Sequence, residues 1–143
     1  MKRVAALGLD LGRRRIGVSG CDGLGLAATG LTTISRTSFD RDMAKLSQLI
    51  QERDVRVLVV GLPYTMDGQL GKQAVRVQKL AKRIGAALQL PIEFVDERLS
   101  SVEARELMHE AGQIPSREKA SIDRKAAALI LQRWLDERRQ VQN

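Results

Sequence analysis

The chain has 143 residues, 43% of them hydrophobic, which is enough to bury the core of one ordinary domain. Its single cysteine and single histidine exclude an intramolecular disulfide, a cysteine-built zinc site and a convincing Cys-His triad. With 24 Lys and Arg against 17 Asp and Glu, the net charge is +7, which is typical of a protein that binds a phosphate backbone. No apolar run approaches the roughly 20 residues that a membrane span needs. We therefore expect one domain over residues 1–143, in the cytoplasm and with no membrane partner.

The first half of the chain predicts strands followed by a helix. Gly12 and the turn at Asp22-Gly23 separate three apolar segments, which predict an antiparallel meander over residues 4–11, 15–21 and 26–34. Apolar residues at three-four spacing predict an amphipathic helix over residues 39–54. The β-branched run at residues 55–60 then predicts a central strand that is buried on both faces.

The second half predicts helices around one more strand. Residues 72–88 have a single apolar face, and Pro91 ends that helix before a strand at 92–95. A capping box at residues 100–103 predicts a helix to about residue 110, and the polar residues 111–120, with Gly112 and Pro115, are the best candidate for a mobile connection. The last helix, residues 121–138, would bury Ala127, Ile130, Leu131, Trp134 and Leu135. Together these elements predict an α/β fold of the RNase H-like plan, a mixed five-stranded sheet flanked by helices.

Three acids occupy positions where such a sheet could gather them. Asp10 ends the first strand, Glu97 follows the fifth, and Asp123 lies in the first turn of the last predicted helix. Carboxylates are the ligands that Mg²⁺ prefers, and two such ions about 3.5 to 4 Å apart can hydrolyse a phosphodiester without a covalent protein nucleophile. The acids therefore predict a metal-dependent nuclease site, provided that the fold is the one expected.

Each acid also has an ordinary structural interpretation. Asp10 could shape the turn at Gly12, Glu97 could pair with Arg98, and Asp123 suits the positive end of a helix. Asp10 fits a purely structural role least well, because it interrupts an apolar stretch and an unpaired buried charge is costly.

Four sequence blocks in the expected order resemble the YqgF family, the RuvX-type Holliday junction resolvase-like proteins. They are residues 7–19 (LGLDLGRRRIGVS), 59–63 (VVGLP) with 66–68 (MDG), 94–104 (FVDERLSSVEA) and 123–132 (DRKAAALILQ). The resemblance implies an RNase H-like nuclease that processes the 5′ end of the 16S ribosomal RNA precursor. It also implies that Asp10, Glu97 and Asp123 are the catalytic and metal-holding acids, with Mg²⁺ or Mn²⁺ as cofactor.

Basic residues supply candidate contacts to nucleic acid, namely Arg13, Arg14, Arg15, Lys72, Arg76 and Arg98. Arg13 to Arg15 follow Asp10 directly, whereas Lys72 and Arg76 begin a basic stripe that continues to Lys79 and Arg83 and could equally be a solvated helix face. The family pattern more often has Leu-Asn where Tyr64-Thr65 stands here, so stacking of Tyr64 on a base is a separate hypothesis.

Several functions remain open at this point. A resolvase of four-way DNA would use the same acids, and would need a homodimer to cut symmetrically, whereas a monomer could trim rRNA. A non-catalytic RNA-binding or assembly factor is a further alternative. The segment Asp10-Leu11-Gly12 also resembles the phosphate loop of actin-like ATPases, but those close two such domains around a nucleotide and this chain has the length of one.

Overall fold

The computed structural model describes residues 4–63, 70–97 and 116–142, and these form five strands and three helices. The helix predicted over residues 100–110 lies outside the described residues. The strands are β1 (Ala6–Leu11), β2 (Arg15–Cys21), β3 (Ala28–Ser35), β4 (Val57–Leu62) and β5 (Ile92–Asp96). The helices are α1 (Phe39–Arg53), α2 (Lys72–Leu88) and α3 (Ser116–Gln142).

The strands form one mixed sheet in the order β3-β2-β1-β4-β5. β1 pairs antiparallel with β2, and β2 with β3, so the predicted meander is confirmed. β1 pairs parallel with β4, and β4 with β5. Because these three strands are parallel, their carboxyl ends meet at one edge of the sheet.

The helices cover both faces of the sheet. Side chains alternate along β1, so that Leu7, Leu9 and Leu11 pack in the core with α1 and α2. Ala6 belongs to a second core on the other face, where α3 contributes the predicted buried residues Ala127, Ile130, Leu131, Trp134 and Leu135. β4 is buried on both faces, as its β-branched run predicts. By the same alternation Asp10 lies on the α3 face, at the edge where the parallel strands end.

The start of α3 differs from the sequence prediction. The helix begins at Ser116, and residues 116–120, predicted as a mobile connection, belong to it. Lys, Glu and Ala favour helices and no Gly or Pro follows Pro115, so nothing in the sequence stops the helix from extending toward that proline. Asp123 consequently lies about two turns inside α3 rather than in its first turn. The helix-end interpretation of Asp123 is therefore wrong.

None of the helices in the described ranges is sufficiently long and apolar to cross a lipid bilayer.

Candidate active site

The end of β1 places Asp10 between two glycines of the neighbouring strands. Across the β1–β2 ladder its partner is Gly17. On the other side, Leu9 pairs with Val60, so Gly61 is the next residue of β4 alongside Asp10. With a glycine on each side, the sheet surface around Asp10 carries no side-chain bulk from either neighbour, and other elements can approach it closely.

Glu97 approaches from the β5 side, over Gly61. Its backbone N–H donates to the carbonyl of Leu62 at 3.1 Å, which continues the β4–β5 pairing beyond the last residue of β5. A Cβ built on Gly61 would lie 2.4 Å from the carboxyl carbon of Glu97, closer than such atoms come in proteins. The absence of a side chain at position 61 is therefore what allows the Glu97 carboxylate to lie beside Asp10.

Asp123 approaches from the β2 side, over Gly17. A Cβ on Gly17 would lie 2.1 Å from the backbone oxygen of Asp123, so α3 and β2 touch through their backbones at this point. One helical turn further along α3, the hydroxyl of Ser19 donates to the carbonyl of Ala127 at 2.7 Å and fixes the helix on β2. The three predicted acids therefore lie in a row across the sheet, with Asp10 in the middle.

The electrostatics of the row agree with this arrangement. Burial of the carboxyl, followed by the negative charge of Asp123, raises the pKa of Asp10 to about 6. Burial, followed by the charges of Asp10 and Asp96, raises the pKa of Glu97 to about 8. Two buried carboxyl groups with raised pKa values form a site that favours a cation, because a positive charge between them would stabilise their ionised forms.

Arg15 lies against Asp123 in this site. Its Nε donates to Oδ2 of Asp123 at 2.5 Å, and both side chains are partly buried. The sequence predicts Arg15 as a contact to nucleic acid, whereas in the structure its guanidinium pairs with an acid of the site. The pair joins residues 108 positions apart, which no local sequence pattern reveals.

The row of acids is not a preformed metal site. In the described part of the chain, no three His, Cys, Asp or Glu side chains are gathered closely enough to hold a metal ion as they stand. The donor set nevertheless fits a hard divalent cation, since it consists of carboxylates, and burial together with neighbouring negative charge raises the pKa values of Asp10 and Glu97.

Comparison with known proteins identifies the family. The family model described as "RuvX: Holliday junction resolvase" matches residues 4–137. A protein of Acaryochloris marina named "Putative pre-16S rRNA nuclease" is 64% identical over 138 residues, which are 96% of each chain. A protein of Synechococcus elongatus with the same name is 60% identical over 140 residues, 98% of this chain and 94% of its own.

The chain belongs to the RuvX family. The family resemblance predicted from the four sequence blocks is thus confirmed, and with it the prediction of a hydrolase that acts on nucleic acid. A solved structure, "T. thermophilus RuvC in complex with Holliday junction substrate", has a TM-score of 0.55 and 14% identity, and the match covers 93% of this chain and 94% of that one. This likeness confirms the RNase H-like fold.

The basic residues that the sequence of this RuvX chain predicts as nucleic-acid contacts lie in different environments. Arg13 and Arg14 are exposed in the β1–β2 turn, and Lys72 is exposed at the start of α2. Arg98 and Tyr64 lie outside the described residues. The predicted stripe along α2 is not one solvated face, because Arg76 is partly buried near the β1–β2 turn and Arg83 stacks on Phe39 at 3.8 Å from the ring centre.

Sequence reasoning missed Gly17, Gly61 and Arg36. The two glycines matter only because Asp123 and Glu97 lie over them, which are contacts between distant parts of the chain. Arg36 follows β3 and lies beside the β1–β2 turn, where its guanidinium donates to the carbonyls of Gly12 at 3.0 Å and Arg13 at 3.3 Å. The register of the β2–β3 hairpin, which pairs Arg15 with Ser35, carries the signal that could have found Arg36.

Proposed function

We propose that the chain is a divalent-metal-dependent nuclease whose substrate is the 5′ end of the 16S rRNA precursor. The observation that carries the proposal is the row formed by Glu97, Asp10 and Asp123 over Gly61 and Gly17, at the edge where the parallel strands end. The net charge of +7 supports a phosphate-backbone ligand. The names of the curated relatives support the choice of substrate.

In this proposal the three acids hold Mg²⁺ or Mn²⁺. Such an ion would supply activation of a water molecule and stabilisation of the leaving oxygen. Glu97, with a pKa of about 8, must lose its proton before its carboxylate can bind a cation, so activity should rise with pH in this range. Arg15, whose Nε donates to Asp123, would hold that acid in place and balance part of the negative charge of the row.

A second candidate is resolution of four-way DNA junctions. The description of the matching family model names this activity, and the RuvC structure of the same fold has a junction bound. The same acids would serve, with a different phosphodiester as substrate. Symmetric cutting of a junction requires a dimer, whereas trimming of a precursor can be done by a monomer.

The test is cleavage of two labelled substrates, a 16S precursor leader RNA and a four-way DNA junction, with Mg²⁺ or Mn²⁺. Asp10→Asn removes one acid of the row, and Asp54→Asn is the matched control. Asp54 is exposed at the end of α1, where its carboxylate accepts a hydrogen bond from the Arg56 side chain. The backbone N–H of Arg56 donates to the carbonyl of Ala5, which precedes β1, so Asp54 lies near the opposite end of this strand from Asp10.

We expect metal-dependent cleavage of the RNA by the wild type and by Asp54→Asn, and loss of cleavage in Asp10→Asn. Cleavage of the junction alone, by a protein that is dimeric in solution, would instead establish the resolvase. Cleavage of neither substrate would overturn the nuclease proposal in favour of a binding or assembly role.

A further inference from the structure

Three arginines from separate parts of the chain meet beside the β1–β2 turn. Arg13 belongs to the turn itself, and Arg36 is fixed to it by hydrogen bonds from its guanidinium to two turn carbonyls. The backbone N–H of Arg36 also donates to the carbonyl of Arg14 at 2.9 Å. Arg76, in the second turn of α2, lies near enough to Arg13 and Arg36 for their positive charges to act on its guanidinium. We call Arg13, Arg36 and Arg76 the arginine cluster.

The arginine cluster has no ion-pair partner in the part of the chain that the structure describes. None of its three members forms an ion pair with a carboxylate of residues 4–63, 70–97 or 116–142. The Nε of Arg76 is moreover buried without a hydrogen-bond partner, and it is the only described side-chain atom in that condition. A buried charged donor without an acceptor is costly, so its presence indicates a ligand that supplies the acceptor.

The positive charges of the cluster also favour binding of an anion. Burial, followed by the positive charges of Arg13 and Arg36, lowers the pKa of Arg76. The three guanidinium groups are therefore near enough to repel one another. An anion bound among them would relieve the repulsion, and arginine is well suited to phosphate because its planar fork donates two parallel hydrogen bonds.

The position of the cluster relative to the acids suggests which anion it binds. α2 packs on the face of the sheet opposite α3, whereas the row of acids lies on the α3 face. Both are at the edge where β1 ends, because the β1–β2 turn that carries Arg13 begins right after Asp10 and Leu11. A nucleic acid strand that crosses this edge would place one phosphate at the acids and a neighbouring phosphate at the cluster.

We propose that Arg13, Arg36 and Arg76 form a phosphate-binding subsite for a backbone phosphate that flanks the cleaved bond. The substrate part of this inference rests on the proposed nuclease function. The binding of phosphate itself does not, because the cluster and its unpaired donor exist independently of the acids.

Two measurements on the full metal-free chain test the subsite. In the first, inorganic phosphate is titrated and the arginine Nε–H resonances are followed by NMR. In the second, binding of the uncleaved leader RNA is measured at several salt concentrations. Arg76→Gln removes the buried donor, and Lys82→Gln is the control, since Lys82 is an exposed residue of the same helix and its loss changes the charge equally.

We expect saturable phosphate-induced shifts at the three arginines, weakened about tenfold in Arg76→Gln and unchanged in Lys82→Gln. RNA affinity should fall similarly in Arg76→Gln, with a salt dependence that is shallower by about one ion.

Absence of saturable shifts would overturn the subsite and leave the nuclease proposal standing. Phosphate binding without any RNA binding by the wild type would keep the anion subsite and refute its assignment to the substrate backbone, while the nuclease proposal is decided by metal-dependent cleavage. An Arg76→Gln effect on phosphate but not on RNA would refute the assignment to the substrate backbone.

Discussion

The carboxylates of Glu97 and Asp123 can approach Asp10 because the residues on either side of Asp10 in the sheet are glycines. At Gly61 the close neighbour is the flexible end of a side chain, the carboxyl of Glu97, whereas at Gly17 it is the backbone of α3. A side chain at position 61 would displace the carboxyl group of Glu97, whereas a side chain at position 17 would displace the helix α3. The two substitutions should therefore have different consequences.

Gly61→Ala should leave the fold nearly intact and abolish most of the activity. The new Cβ would occupy the place of the Glu97 carboxyl, which can swing away at little cost to stability. A misplacement of about 1 Å at a reacting centre can cost about a hundredfold in rate, so we expect a loss of that order in RNA cleavage. Single-turnover cleavage and thermal unfolding would be measured together. Full activity with an unchanged melting temperature would show that the position of Glu97 over Gly61 is unimportant.

The raised pKa of Glu97 predicts a stability that depends on pH in the metal-free protein. The folded pKa, about 8, lies above the ordinary value of 4.5, so the folded state holds the proton more tightly than the unfolded state. Stability should therefore fall as pH rises from about 4.5 to about 8. Glu97→Gln, which stays neutral, should be more stable than the wild type at pH 8.5 and similar to it near pH 4.5. Urea unfolding at the two pH values measures this, and an equal difference at both would contradict the shift.

At the scale of elements, local patterns predicted the described architecture well. The bounds of β2 and α2 match the observed ones because turn signals or a proline mark their ends, and the buried residues of α3 follow from their helical spacing. The predicted start of α3 is wrong because polar residues suggest a loop, whereas residues 116–120 belong to the helix and include good helix formers. Contacts between distant residues, such as the Arg15–Asp123 ion pair and the arginine cluster, depend on tertiary packing and leave no local pattern.

The seating of α3 on β2 gives a prediction at this scale. Gly17→Ala would place a Cβ against the backbone oxygen of Asp123, and a backbone cannot move aside as a side chain can. The helix must shift away from the strand, which overpacking data suggest costs about 1 to 3 kcal/mol of stability. Urea unfolding of Gly17→Ala, with Gly61→Ala as the matched glycine control, measures the cost. Equal stability of the two variants would contradict the backbone contact.

At the scale of the whole molecule, the row of acids lies at one edge of a sheet in a strongly basic chain. The carboxylates are negative where a metal would be held, while arginines of the β1–β2 turn and α2 surround the same edge with positive charge. A metal-dependent nuclease needs both, because the acids alone would repel the phosphate backbone.

The net charge predicts that affinity for nucleic acid depends strongly on salt. Displacement of counterions from the backbone makes the logarithm of affinity fall linearly with the logarithm of salt concentration. For the leader RNA we expect about a hundredfold loss of affinity between 50 and 200 mM KCl. Fluorescence anisotropy under metal-free conditions measures it. An affinity independent of salt would mean that backbone charge does not drive binding.

Mn²⁺ binding followed by electron paramagnetic resonance tests most directly whether Asp10, Glu97 and Asp123 together hold a divalent ion. The readout is independent of any substrate, and Asp54→Asn again controls for loss of one exposed carboxylate. We predict that the wild type and Asp54→Asn bind Mn²⁺ with equal affinity, that affinity rises with pH as Glu97 loses its proton, and that Asp10→Asn weakens it at least tenfold. Equal Mn²⁺ affinity in the wild type and Asp10→Asn would contradict the claim.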